Sequence, residues 1–154
     1  MLHLGLFEPE IPPNTGNIMR LCANTGTPLH LVEPLGFSID DRSLRRAGLD
    51  YHEFAEVRSY PDIDALLTAL PEARVWTLST RGTRSYAEVS YADGDLLLFG
   101  PETRGLPQGL IDRIGVHRCL RIPMRSDSRS LNLSNAAALV LYEGLRQQGF
   151  PGLA

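Results

Sequence analysis

The chain has 154 residues, of which 43% are hydrophobic and 21% charged, and its formal net charge is −3. This length and composition are typical of one globular domain and exclude a disordered or fibrous chain. Its longest apolar runs, such as Leu96–Phe99 and Ala136–Leu141, are far shorter than the roughly 18 residues of a membrane span. Met1 is not followed by the basic and apolar regions of a secretory signal. We therefore expect a single cytoplasmic domain over residues 1–154.

Strands and helices are predicted to alternate along the whole chain. In chain order, the apolar patterns predict a strand at Leu2–Phe7, a helix at Asn14–Thr25, a strand at Leu29–Val32, a polar helix near Asp40–Ala47, a weak strand at Phe54–Val57, a helix at Ile63–Leu70, strands at Val75–Ser79 and Asp95–Phe99, a short helix at Pro107–Ile114, a last strand at Cys119–Ile122 and a helix at Asn132–Gln147. This alternation predicts an α/β fold with a mainly parallel sheet flanked by helices. Ligands of such folds bind at the carboxyl ends of the strands.

A first polar motif, NTGNIMR, lies at the start of the first predicted helix and follows the proline-rich segment 8–13. Steps of three and four residues place four polar side chains on one helix face, namely Asn14, Asn17, Arg20 and Asn24. A solvated helix face usually carries Glu and Lys. A row of amides with one guanidinium therefore favours a recognition surface over a merely solvated face.

A second motif, FGPETRGLP, follows the buried strand predicted at residues 95–99. The strand ends in a turn that contains Gly and Pro together with Glu102 and Arg104. Gly100 lacks a side chain and would let a ligand approach the backbone closely. The alternative interpretation is a simple turn between a strand and a helix.

A third motif begins with IPM at residues 122–124 and continues after a polar loop as SLNLSNAAA at residues 130–138. Its polar members are Ser130, Asn132, Ser134 and Asn135. Capping of the last helix accounts for one or two of them but does not require all four. The alanines would let that helix pack closely, and its exposed continuation offers Tyr142 and Arg146.

The basic residues are distributed unevenly. All fifteen are Arg, and five of them lie within seventeen residues that contain one acid, Asp127; they are Arg113, Arg118, Arg121, Arg125 and Arg129. Guanidinium groups match phosphate oxygens in pairs, which favours a partner that carries phosphate. A codon bias toward Arg would explain the absence of Lys, but it explains the clustering less well.

No motif for metal or for common nucleotide chemistry is present. Cys22 and Cys119 stand apart and are expected to be buried thiols, and the histidines are scattered at His3, His30, His52 and His117. The sequence contains no GxGxxG motif, no Walker loop, no GxSxG elbow and no HExxH motif. We expect no metal site.

In their order and spacing the three motifs resemble those of the SPOUT methyltransferases, and the similarity runs from the first strand to the last helix. The resemblance is to the small branch that methylates the ribose 2′-hydroxyl of the tRNA wobble nucleotide, position 34, a cytidine or modified uridine in the anticodon loop. It implies a C-terminal trefoil knot, an exception to the rule that chains do not thread loops. It also implies a homodimer without an accessory RNA-binding domain.

The resemblance further implies S-adenosyl-L-methionine as cofactor, held largely by backbone atoms of three loops. The matching cofactor positions are Leu78, Ser79, Gly100, Glu102, Gly105, Ile122, Met124, Ser130, Leu131 and Asn135. In family dimers the Arg of the first motif lies near the partner subunit's cofactor, which makes Arg20 the main catalytic candidate, beside Tyr142. The expected contacts to the anticodon stem-loop are Asn14, Asn17, Arg20, Arg121, Arg125 and Arg129.

Three alternatives stay open on sequence grounds. The same chemistry could act on another RNA such as ribosomal RNA, although relatives of that kind carry an extra domain. The chain could be a non-catalytic RNA-binding module, against which the intact first and third motifs argue. A nucleotide-binding regulator would need a phosphate-binding loop, which the sequence lacks. The sequence does not distinguish cytidine from uridine as the target.

Overall fold

A computed structural model describes residues 1–38 and 56–154 of the chain. The strands are β1 (His3–Phe7), β2 (Leu29–Val32), β3 (Val57–Tyr60), β4 (Val75–Leu78), β5 (Arg84–Ser85), β6 (Leu96–Phe99) and β7 (Cys119–Arg121). The helices are α1 (Pro12–Thr25), α2 (Ile63–Ala69), α3 (Gln108–Ile114) and α4 (Leu133–Gln147), and a single 3₁₀ turn (Val116–Arg118) precedes β7.

Within the described residues, the seven strands form one sheet in the order β3-β2-β1-β6-β4-β7-β5. Every neighbouring pair is parallel. Because all strands run in one direction, their carboxyl ends meet at the same edge, where the loops of the second and third motifs begin. The predicted α/β fold with a mainly parallel sheet is confirmed.

Both faces of the sheet are covered, as a parallel sheet requires. On one face Leu4, Leu6 and Leu97 pack with Ile18 of α1 and Val140 of α4. On the other face strand residues including Val32, Leu96 and Leu98 pack with α2 and α3. Helices α1 and α4 also contact each other, which brings the first and third motifs together.

Most predicted elements are confirmed to within two residues, but the third strand ends three residues later than predicted. Strand β3 covers Val57–Tyr60, because these residues pair in register with Leu29–Val32 of β2, and the prediction contained only Val57 of them. The apolar pattern did not predict this strand because Arg58 and Ser59 are polar. An edge strand tolerates such exposed polar side chains. The predicted helix near Asp40–Ala47, and residues 54 and 55 of the predicted strand, lie outside the described residues.

Two smaller differences have clear physical reasons. Helix α1 begins at Pro12, two residues before the prediction, because prolines are tolerated in the first turn, whose N–H groups lack intrahelical partners. Strand β5 has only two residues and was not predicted.

Both cysteines are buried as expected, and burial raises the pKa of the Cys22 thiol to about 12.

Candidate active site

A cavity of about 540 Å³ opens at the carboxyl ends of β4, β6 and β7. Its walls come from all three sequence motifs: Ile11, Asn14, Leu78, Ser79, Thr80, Arg81, Phe99, Gly100, Pro101, Glu102, Thr103, Arg104, Gly105, Ile122, Met124, Arg129, Ser130, Leu131, Asn132, Leu133 and Ala136. Ligand cavities of parallel α/β sheets lie at this edge, and their usual volume is about 300–1,000 Å³. The cavity is therefore the candidate active site.

One wall of the cavity is braced by the carboxylate of Glu102. This group accepts hydrogen bonds from the backbone N–H groups of Glu10 and Ile11, each at 2.8 Å, and from the amide of Asn14 at 3.2 Å. Ile11 is the N-cap of α1 and its own side chain makes no capping bond. The carboxylate therefore satisfies the N–H groups of the two residues that precede α1, and a negative charge at a helix N-terminus is favourable.

The same two segments are joined by a second, reciprocal contact. The carboxylate of Glu10 accepts from the backbone N–H of Thr103 at 2.9 Å and from its hydroxyl at 2.7 Å. These two hydrogen bonds lower the pKa of Glu10 below its ordinary value, the backbone bond most of all. The Arg104 guanidinium also donates to Glu8 at 3.1 Å. We call this set of bonds between residues 8–14 and 102–104 the acidic clamp.

Asn14 connects the clamp to the third motif. Its side chain is 8% exposed, and its carbonyl oxygen accepts from the amide of Asn132 at 3.1 Å while its own amide donates to Glu102. Asn132 caps α4 by accepting from the N–H groups of Ser134 and Asn135. Asn14 is thus turned inward, away from the exposed face that the helical spacing predicted for it.

The turn of the second motif depends on Gly100 for a reason other than ligand access. A Cβ at Gly100 would lie 2.4 Å from the backbone nitrogen of Leu106, so any larger residue would push the turn apart. The turn is closed by the N–H of Gly105, which donates to the carbonyl of Pro101 at 2.9 Å. Gly100 is therefore needed mainly for the turn that forms this wall of the cavity.

Arg81 connects two other segments that line the cavity or border it. Its guanidinium donates to the side chain of Gln108 at 2.9 Å and to the backbone carbonyl of Leu106. These bonds tie the loop after β4 to the start of α3. Sequence reasoning missed Arg81, and no signal in the sequence marks it.

Most of the predicted site residues meet in the cavity, and some do not. All of the expected cofactor positions line it except Asn135, which is exposed at the start of α4. Arg20 and Tyr142, the catalytic candidates, are exposed and line no part of it, and the same holds for Asn17. Asn132 lines the cavity and was named in the sequence only as a possible cap.

The three expected RNA contacts at the other side of the cavity lie close together. Arg121, Arg125 and Arg129 surround a smaller hollow of about 220 Å³ that adjoins the main cavity. Arg129 belongs to the walls of both.

In the described part of the chain, no helix is long and apolar enough to cross a membrane, and no group of His, Cys, Asp and Glu could hold a metal ion.

The comparison with known proteins decides the family. The SpoU rRNA methylase family matches residues 1–142. The chain belongs to this family. The match agrees with the resemblance that the three motifs indicated.

Two known proteins are similar to this chain over nearly their whole length, and a third shares its fold over part of its length. The chain is 58% identical to the tRNA (cytidine(34)-2′-O)-methyltransferase of Escherichia coli strain K12, over 99% of this chain and 97% of that protein. It is 47% identical, with a TM-score of 0.91 and 97% coverage of both chains, to a structure described as "Structural insights into the 2-OH methylation of C/U34 on tRNA". At 24% identity it shares the fold of the methyltransferase AviRb from Streptomyces viridochromogenes, solved with AdoMet, with a TM-score of 0.80, covering 96% of this chain and 58% of AviRb.

Proposed function

We propose that this protein transfers the methyl group of S-adenosyl-L-methionine to the ribose 2′-hydroxyl of nucleotide 34 in the anticodon loop of tRNA. The observation that carries the proposal is the cavity at the carboxyl edge of the sheet, which all three motifs of a SpoU family member build. The choice of tRNA nucleotide 34 follows from the 58% identical relative that is named for this reaction. The enzyme acts in the cytoplasm, where tRNA is present.

The residues of the cavity fit the cofactor. Its volume of about 540 Å³ suits a molecule of that size, and its wall combines apolar side chains such as Leu78, Ile122 and Met124 with backbone groups of the turn at 100–105. The bound cofactor supplies an electrophilic methyl group on a sulfonium. The protein then needs to orient the ribose and stabilise the charge that develops on its oxygen.

We assign that charge stabilisation to Arg20. A guanidinium stays protonated at neutral pH, so it can stabilise a developing alkoxide by charge and hydrogen bonding, while the hydroxyl proton passes to solvent water and not to Arg20. Tyr142 is the second catalytic candidate, as a hydroxyl on the exposed face of α4. Asn17, on the same helix as Arg20, is proposed to contact the RNA.

Arg20 is proposed to act across a homodimer. It lies six residues after Asn14, or about 9 Å farther along the axis of α1, and is not part of its own subunit's cavity. Exposed apolar side chains near the cavity, on α4 and just after α4 suit a dimer interface: Ile11, Leu131, Leu139, Tyr142 and Phe150. We expect a dimeric mass by light scattering at micromolar concentration, and a monomeric mass would contradict this arrangement.

We also propose that the C-terminal region is threaded as a trefoil knot. Strands β4 and β5 follow each other in the chain and are joined by residues 79–83, yet β7 lies between them in the sheet. Gly82 of this short connection lies directly against β7, since a Cβ there would lie 2.4 Å from the backbone of Leu120. A strand enclosed by so short a connection supports a threaded path.

The chain is proposed to work as a single domain. The alignment with the relative from Escherichia coli covers 99% of this chain and 97% of that protein, so the two have nearly the same extent. RNA recognition would then depend on the surface around the cavity and on the dimer.

Mass spectrometry of nucleosides at defined positions in cellular RNA tests the proposed function. We expect tRNA from a strain that lacks the gene to lose the 2′-O-methyl group at nucleotide 34, and the unaltered gene to restore it. Loss of a methyl group from ribosomal RNA with unchanged tRNA would contradict the proposal and favour the alternative substrate. Unchanged tRNA and ribosomal RNA would contradict it as well.

A further inference from the structure

The smaller hollow beside the cavity has a chemistry of its own. Its lining residues are Thr80, Arg121, Ile122, Met124, Arg125, Ser126, Ser128 and Arg129. Three guanidinium groups and three hydroxyl groups therefore surround a volume of about 220 Å³. We call it the arginine hollow.

The arginine hollow carries a net positive charge. No carboxylate lines it, and the one acid of the loop, Asp127, lies 3.5 Å from the Nε atom of Arg125, with both side chains largely exposed. Across residues 1–38 and 56–154, no group accepts a hydrogen bond from the side chain of Arg121 or Arg129. The hollow thus presents several unused N–H donors to any anion that enters it.

The position of the hollow restricts what that anion can be. Thr80, Ile122, Met124 and Arg129 line both the hollow and the cofactor cavity, so the two spaces share a wall. A ribose that reaches the cofactor brings the phosphates on either side of it to this region. The cofactor itself carries a sulfonium, an ammonium and one carboxylate, and this net positive charge does not suit three guanidiniums.

We infer that the arginine hollow binds a phosphate group of the substrate RNA, next to the nucleotide whose ribose is methylated. This inference rests on the proposed function and names the part of the substrate that the hollow takes. Guanidinium forks and hydroxyl donors match phosphate oxygens, and such contacts fix the register of the RNA without reading its sequence. The hollow sets where the ribose lies relative to the cofactor.

A pair of variants matched in charge tests the inference. Arg121→Ala with Arg125→Ala removes two positive charges that line the hollow and leaves the cofactor cavity untouched. Arg58→Glu lowers the net charge by the same two units at the opposite edge of the sheet, on β3. All three side chains are exposed, so folding should be preserved. The probe is total tRNA from a strain that lacks the gene, titrated at several salt concentrations.

We expect the hollow variant to bind tRNA roughly tenfold or more weakly, because charge-assisted hydrogen bonds are lost. The slope of log affinity against log salt should become shallower by about 1, the value for one phosphate contact. Cofactor affinity measured by calorimetry should stay unchanged. The control variant should alter none of these quantities, and Arg121→Lys with Arg125→Lys should recover part of the affinity because it keeps the charge without the fork.

Three results would overturn the inference. An unchanged affinity and salt slope would mean that the hollow contacts no phosphate. An equal loss in the control variant would reduce the effect to the net charge of the protein. Weaker cofactor binding by the hollow variant would make the hollow part of the cofactor site. Absence of methyl transfer by the unaltered protein would contradict the proposed function instead, and the salt slopes would still measure the phosphate contact.

Discussion

The two sides of the cavity are built in opposite ways. On the side of the acidic clamp, the carboxylates of Glu8, Glu10 and Glu102 all accept hydrogen bonds from the chain itself. On the side of the arginine hollow, Arg121 and Arg129 donate to no group in the described part of the chain. The carboxylates of the clamp are thus bonded within the protein, whereas Arg121 and Arg129 remain available for a ligand.

This difference indicates separate tasks for the two sides of the cavity. Side chains of the clamp hold the cavity and the start of α1 in position before any ligand arrives, which is how an active site is preorganised. If the hollow binds a phosphate as proposed, its side chains contribute mainly once RNA is bound. Changes to the clamp should therefore affect stability and catalysis together, whereas changes to the hollow should affect RNA affinity and methyl transfer without affecting stability.

The largest expected effect concerns Arg20, which the clamp positions through α1. Arg20→Ala should lower methyl transfer by roughly a hundredfold or more, the scale seen when one charge-stabilising donor is lost. Cofactor binding and dimerisation should stay nearly intact, because the expected cofactor positions lie on the loops after β4, β6 and β7 and Arg20 is one exposed side chain of α1. Single-turnover methylation at saturating tRNA and cofactor is the measurement.

Two further variants sharpen the result for Arg20. Arg20→Lys should recover little activity, since a point charge lacks the planar fork. Arg58→Ala, on the exposed edge strand β3, removes a charge far along the sheet and should react normally. A near-normal rate for Arg20→Ala would remove this residue from the catalytic assignment.

The next effect concerns Glu102, for which sequence and structure suggest different roles. Glu102→Gln keeps the shape but replaces one carboxylate oxygen with an NH₂ group, so that one of the two backbone N–H groups, that of Glu10 or that of Ile11, loses its acceptor. We expect the free energy of unfolding to fall by about 1–3 kcal/mol, the cost of an unsatisfied polar group, and methylation to fall with it. Denaturant titration measures the stability, with Glu88→Gln at an exposed position as control.

Cofactor affinity distinguishes the two roles of Glu102. If Glu102→Gln lowered that affinity and left stability unchanged, the carboxylate would be a cofactor ligand, as the motif resemblance suggested. The clamp would then not depend on it.

A smaller effect separates two asparagines of α1. Asn14→Ala should cost about 1 kcal/mol of stability, because a side chain with two partners is lost from a buried position. Asn17→Ala, at an exposed position, should leave stability unchanged and weaken tRNA binding. Thermal unfolding and tRNA titration of both variants make the comparison, and equal stability of the two would contradict the inward role of Asn14.

The smallest effect is a pH dependence. The hydrogen bonds from Thr103 lower the pKa of Glu10 in the folded state below its ordinary value of 4.5. The ionised carboxylate therefore stabilises the fold above about pH 4.5, and this contribution is lost as the pH falls through the lowered pKa. Glu10→Gln should be less stable than the unaltered protein at neutral pH, with a difference that shrinks in acid. A difference that grew in acid would contradict this assignment.

The sequence predicted the fold well where patterns are regular. Continuous apolar runs such as Leu96–Phe99 identified the buried strands, and helical spacing identified α1 and α4. The third strand was misplaced because Arg58 and Ser59 break the apolar pattern while the backbone pairing with β2 holds the strand. A two-residue strand such as β5 leaves no pattern to detect.

Most residues of the cavity were predicted, but the hydrogen bonds that hold its walls together were not. Nearly all of the positions expected to bind the cofactor line the cavity. Helical spacing, however, placed Asn14 on the exposed polar face of α1. Helical spacing cannot show that Glu102, 88 residues away in the chain, would accept from Asn14. The role of Arg81 likewise depends on a contact between distant loops, which only the structure shows.

One measurement tests the central assignment most directly. Two synthetic anticodon stem-loops are incubated with the protein and S-adenosyl-L-methionine that carries a labelled methyl group; they differ only in having cytidine or 2′-deoxycytidine at nucleotide 34. We predict that the cytidine substrate gains one label at that nucleotide and that the deoxycytidine substrate gains none. Equal labelling of both substrates, or labelling of neither, would contradict the account.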